Sequence, residues 1–141
     1  MVSFPKLSRT SREGVPTMTA DPTSAMRKVC FLLHVKPERM KEYKTAHAAV
    51  WPGMLRALQH AGRHNFSLFL REDGLLVGYF ETTADDDGES YLALSEVATQ
   101  WETTMTEYFF DDGSRPDQAM EKLPQVFDLD DQLRQLEPWL P

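Results

Sequence analysis

The stretch V-C-F-L-L-H-V-K-P-E-R-M-K-E-Y-K-T-A-H-A-A-V-W-P, residues 29–52, decides the fold. Val29, Phe31, Leu33 and Val35 alternate with Cys30, Leu32 and His34, a strand with apolar side chains on both faces. Pro37 then opens a helix, because its missing N–H costs nothing in a first turn. Met40, Tyr43, His47, Val50 and Met54 recur at three- and four-residue spacing, one helical stripe. Pro52 disfavours helix at Trp51, so the helix should kink or restart there, and its second piece should stop at Gly62.

Outward from this unit, Phe66, Leu68 and Leu70 alternate with Ser67 and Phe69, a second strand. Asp73-Gly74 signals a hairpin into a third strand over Leu75–Thr82. Asp85, Asp86 and Asp87 read as a solvated helix start, where negative charge meets the positive dipole end. A short helix through Leu92 and Leu94 leads to Ser95, the N-cap of a further helix with Val97, Trp101, Met105 and Tyr108 on one face. A polar loop holds Gly113 and Pro116, and Val126, Phe127 and Leu129 read as a last short strand. The order strand, helix, strand, strand, helix, strand is the split βαβ of the ferredoxin-like α+β fold, an antiparallel sheet with helices on one face. The strands are apolar on the other face as well. A second sheet is its economical cover, so the fold is expected as a homodimer of the dimeric α/β-barrel type.

The domain should span 26–130, between a disordered tail over 1–25 and a C-terminal extension over 131–141. The tail carries Pro5, Pro16, Pro22 and scattered Ser and Thr, with no helical or strand period. Hydrophobic residues make up 41% and charged residues 26%, an ordinary globular mixture. A formal charge of −7 argues against a nucleic-acid groove. One cysteine, Cys30, excludes an intrachain disulfide and a cysteine-cluster metal site. No apolar run reaches membrane-span length, and Lys6, Arg9, Arg12 and Glu13 break any secretory signal, which places the chain in the cytoplasm.

Tyr43, His47 and Trp51 stand four apart, so they share one side of a helix. On spacing alone this is an amphipathic core stripe with a half-exposed histidine, or else one wall of a pocket for a neutral polar ligand such as a sugar. An indole stacks on C–H faces, while phenol and imidazole exchange hydrogen bonds with hydroxyls. His34, His60 and His64 show no helix-borne zinc spacing, and the three aspartates lack the alternation of a calcium loop. No phosphate-binding glycine loop or nucleophile elbow occurs. What remains is acid–base chemistry on an unphosphorylated small molecule, or plain binding.

E-Y-K-T-A-H-A-A-V-W-P at 42–52 resembles the Y-x-x-x-H-x-x-x-W-P signature of L-rhamnose mutarotases. The similarity continues through A-G-R-H-N-F-S-L-F-L at 61–70, Trp101 with Met105, and L-P-Q-V-F-D-L at 123–129. The resemblance implies a dimeric ferredoxin-like enzyme that interconverts the anomers of L-rhamnose without metal or cofactor. It implies His47 as the proton-donating catalytic residue, and a monosaccharide site formed by Tyr43, Trp51, Phe66, Trp101 and Glu102. Phe66 falls where the family has a sugar-contacting tyrosine. Glu102 falls on the second member of its tryptophan pair. The alternatives are a non-catalytic sugar-binding or dimerisation module and a small cofactor-free monooxygenase on the same fold.

Overall fold

The computed structural model describes residues 26–110 and 114–136; the tail over 1–25, Gly113 and residues 137–141 lie outside the described residues. Strands β1 (Arg27–His34), β2 (His64–Leu70), β3 (Leu75–Thr82) and β4 (Glu121–Leu123) form one antiparallel sheet in the order β2-β3-β1-β4. Central first and third strands make this the ferredoxin-like arrangement.

Pro37–Arg39 forms a single 3-10 turn that leads into α1 (Met40–Ala48). Trp51 is extended, with φ −53° and ψ 133°, and Pro52 starts α2 (Pro52–His60). The break comes where the proline forbids a helical predecessor. The β2–β3 hairpin turns at Gly74, whose φ is +98° and where a Cβ would lie 2.1 Å from the Val35 carbonyl oxygen, so only glycine fits. The Asp86 carboxylate accepts from the Gly88 and Ser90 N–H groups at the start of α3 (Glu89–Leu94). Ser95 Oγ accepts from Ala98 N at 3.2 Å and caps α4 (Glu96–Met105). Asp87 is not part of a solvated start. It is buried and bonds Arg27 at 2.5 Å and Lys122 at 2.7 Å, a charge that is neutralised by two cations.

Register fixes the two faces of the sheet. Val29 pairs with Phe80, Phe31 with Gly78 and Leu33 with Leu76 on the face that packs against the helices. There Val35, Leu76, Leu92, Ala98 and Met105 are buried, each large apolar side chain contributing roughly 1.5–3 kcal/mol. On the opposite face Cys30 pairs with Tyr79, and Leu32 and Phe69 with Val77. These side chains are half-buried except Phe69, which is 64% exposed.

The last strand differs from the expectation. It is Glu121–Leu123, paired with Cys30–Leu32, and the segment Val126–Phe127 carries no strand. Pro124 has no N–H to continue the ladder. Leu129 opens a helix instead, α5 (Leu129–Leu136), where Asp128 Oδ1 accepts from Asp131 N at 2.9 Å. Arg27–Leu123 is one compact unit; α5 belongs to a second, and by helical spacing Leu129, Leu133 and Leu136 share one side of it.

Candidate active site

Helix α1 places Tyr43 and His47 one turn apart on its inner side. Their rings stack with centroids 4.1 Å apart, and His47 Nδ1 lies 3.1 Å from the Tyr43 carbonyl oxygen. A carbonyl only accepts, so Nδ1 carries the proton, and Nε2 is the atom left to take or give one. Burial lowers the imidazole's affinity for a proton below the ordinary histidine range, only partly opposed by that hydrogen bond. The neutral form therefore predominates at pH 7. The Tyr43 hydroxyl is pushed well above its ordinary range, by burial first and by the nearby Glu102 charge second, so it serves as a neutral hydrogen-bonding group.

Helix α4, packed against α2, supplies Trp101 and Glu102. Trp101 stands edge-on to His47, with centroids 5.4 Å apart, and edge-on to Trp51 at 5.0 Å. The sheet contributes Phe31, Leu33, Phe66 and Leu68, and the segment before β4 contributes Pro116, Asp117 and Met120. These elements enclose a cavity of about 400 Å³, within the ordinary range for small-molecule sites. The wall is apolar and aromatic, with Tyr43, His47, Glu102, Asp117 and Arg63 as its polar members.

Five of the six residues singled out in the sequence thus line one cavity: Tyr43, His47, Phe66, Trp101 and Glu102. Trp51 is not among the lining residues; it is 37% exposed and abuts Trp101. Glu102 is only 8% exposed, and its Oε1 accepts from the Asp117 N–H at 3.0 Å. Desolvation, then the Asp117 charge, raise its carboxyl to about 7, so it is partly protonated at neutral pH. His34, His60 and His64 are exposed and line no part of this cavity. Among the described residues no group of three or more His, Cys, Asp or Glu could hold a metal ion, and no helix is long and apolar enough to cross a membrane.

Sequence reasoning missed Arg63 and Asp117. Strand alternation from Phe66, Leu68 and Leu70 sends odd positions to the outer face, which would put Arg63 outside. A register shift between His64 and Ser67, with Asn65 at φ +52°, inserts one residue and turns Arg63 inward. A charged residue between a helix-stopping glycine and an apolar strand was the available signal. Asp117 is held by Arg115 in a two-pronged ion pair, at 2.8 and 2.9 Å, which their spacing of two residues could have suggested.

Comparison with known proteins points to one family. A family model described as L-rhamnose mutarotase matches residues 28–129. The chain is 32% identical over 108 residues to an L-rhamnose mutarotase of Pectobacterium carotovorum, covering 74% of this chain and all of that one. It is 33% identical over 81 residues to an L-rhamnose mutarotase of Bacillus subtilis, covering 57% of this chain and 77% of that one. Among solved structures, an L-rhamnose mutarotase of Formosa agariphila superposes with a TM-score of 0.61 at 22% identity, covering 73% of this chain and 98% of that one. A candidate antibiotic biosynthesis monooxygenase of Nitrosomonas europaea shares the fold with a TM-score of 0.50 at 12% identity, over 70% of this chain and 86% of that one. With a family model that spans the whole ferredoxin-like unit but its first residue, and a relative matched from end to end, the chain belongs to the L-rhamnose mutarotase family.

Proposed function

We propose that this chain is an aldose mutarotase that interconverts the α and β anomers of L-rhamnose or a closely related sugar. The observation that carries the reading is the Tyr43–His47–Trp101 ring cluster on the wall of a largely apolar cavity. Ring opening moves one proton off the anomeric hydroxyl and one onto the ring oxygen as the C1–O5 bond breaks. The aldehyde turns about C1–C2 and closes on its other face with the same two protons returned. Neither electrons nor a phosphate change hands. His47 Nε2 is the group that moves a proton; a positioned acid–base residue supplies about 10²–10⁴ in rate, enough for a reaction that already runs in water. Trp101 offers a face for the sugar's C–H bonds, Tyr43 and Glu102 offer hydrogen bonds to its hydroxyls, and Phe66 offers contact without a donor. Trp51 serves by holding the Trp101 ring.

The same reading includes a homodimer formed through the outer face of the sheet, where Cys30, Leu32, Val77 and Tyr79 need a cover. It places the enzyme in the cytoplasm, where the free Cys30 thiol would stay reduced. Saturation-transfer NMR between the two anomeric protons tests the activity. Faster exchange of L-rhamnose, L-fucose, L-mannose or L-lyxose with enzyme supports it. Binding without faster exchange would make the chain a sugar-binding module instead.

A further inference from the structure

A guanidinium taken out of water needs partners for its donors, and Arg63 has too few. It is only 6% exposed, its Nε donates to the Asp87 carbonyl at 2.9 Å, and its Cζ lies 4.3 Å from the Phe80 ring centroid. Its Nη2 is buried with no hydrogen-bond partner among the described residues. The nearest acids are largely engaged elsewhere. Asp87 is taken by Arg27 and Lys122, and Asp117 by Arg115. Glu102 accepts from the Asp117 N–H but is paired with no cation among the described residues. It feels the Arg63 charge and Arg63 feels its own, yet no ion pair forms between them, and both line the same cavity.

Both residues line the cavity without pairing with each other: Arg63 brings a donor that has no partner, and Glu102 brings a carboxylate. A hydroxyl both accepts and donates, so it satisfies the two at once. A methyl group would satisfy neither. A carboxylate would suit Arg63 but would meet Glu102 and Asp117. We propose that Arg63 and Glu102 are a specificity pair that reads one sugar hydroxyl, so that this chain selects a neutral sugar oxygenated at the carbon facing them over its deoxy analogue. The proposal rests on the mutarotase reading and refines its substrate.

The test is anomer exchange measured with L-mannose and its four monodeoxy analogues at C2, C3, C4 and C6, of which L-rhamnose is the last. In the wild-type protein, removing oxygen at one position should lower kcat/KM roughly tenfold or more, the scale of a hydrogen bond to a charged group, with smaller losses elsewhere. Arg63→Met should erase that one preference, chiefly by raising KM for the oxygenated sugar, and Arg63→Lys should restore part of it. A wild-type panel with no sensitive position overturns the proposal, even if Arg63→Met fails to fold. So does an Arg63→Met enzyme that slows all five sugars by one factor, the mark of a purely structural arginine. If no sugar exchanges faster with the wild type, it is the mutarotase reading that fails. Saturation-transfer-difference binding of the same five sugars then decides the pair alone, with a flat panel against it.

Discussion

Glu102 is the residue whose chemistry is most sensitive to conditions. Its carboxyl is raised to about 7 because ionisation would place a charge in the cavity beside Asp117. A raised pKa means that the folded state holds the proton more tightly than the unfolded one. The stability gained is complete below the ordinary glutamate range near pH 4.5 and is lost as pH rises through about 7. Glu102→Gln should therefore flatten the decline in melting temperature between pH 5 and 8, measured by calorimetry against the wild type. The same ionisation should give the anomer-exchange rate an alkaline limb near pH 7, and the glutamine enzyme should lose it. A limb that survives the substitution would assign it elsewhere. Trp101 is 5% exposed in the core and also lines the cavity. Trp101→Phe should raise the sugar's dissociation constant and, by about 1 kcal/mol of lost packing, lower the melting temperature by several degrees. A change in melting temperature with unchanged binding would leave it a core residue only.

At the scale of elements, the sequence made most boundaries legible because each was set by local chemistry. Pro52 broke the first helical stripe, Asp73-Gly74 turned the hairpin, and Ser95 capped α4 where its spacing placed it. Tyr43 and His47 came together on one wall because i and i+4 stack on a helix, and they do so at 4.1 Å. Two features were not legible, and both depend on backbone irregularity. The bulge between His64 and Ser67 reverses which face Arg63 joins, and no period-two pattern reveals an inserted residue in advance. The apolar triplet Val126, Phe127 and Leu129 imitates a strand, whereas Pro124 ends the ladder before it and Asp128 caps a helix within it. Gly78 shows how tightly the sheet and cavity are tied together. A Cβ there would lie 2.1 Å from the Phe31 ring, which lines the site. Gly78→Ala should cost about 1–3 kcal/mol in urea denaturation as Phe31 is displaced. An unchanged midpoint would mean that the ring moves aside freely.

For the whole molecule, the ferredoxin-like sheet has one face under helices and another that carries Cys30, Leu32, Val77, Tyr79 and Phe69. A dimer packed on that face should be split by Val77→Glu, which leaves the inner core untouched. Light scattering should show two chains for the wild type and one for the variant at micromolar concentration. A single-chain mass for the wild type would remove the dimer. The fold alone does not select a reaction, since a candidate monooxygenase shares it at a TM-score of 0.50. The choice rests on the side chains in the cavity, and so on His47. The measurement that reaches it most directly is saturation transfer between the α and β anomeric protons of L-rhamnose and L-mannose, with wild-type protein and with His47→Gln. The account predicts faster exchange with the wild type and a loss of about 10²–10⁴ in the variant at unchanged circular dichroism. Exchange no faster than in buffer, or a His47→Gln protein as active as the wild type, would contradict it.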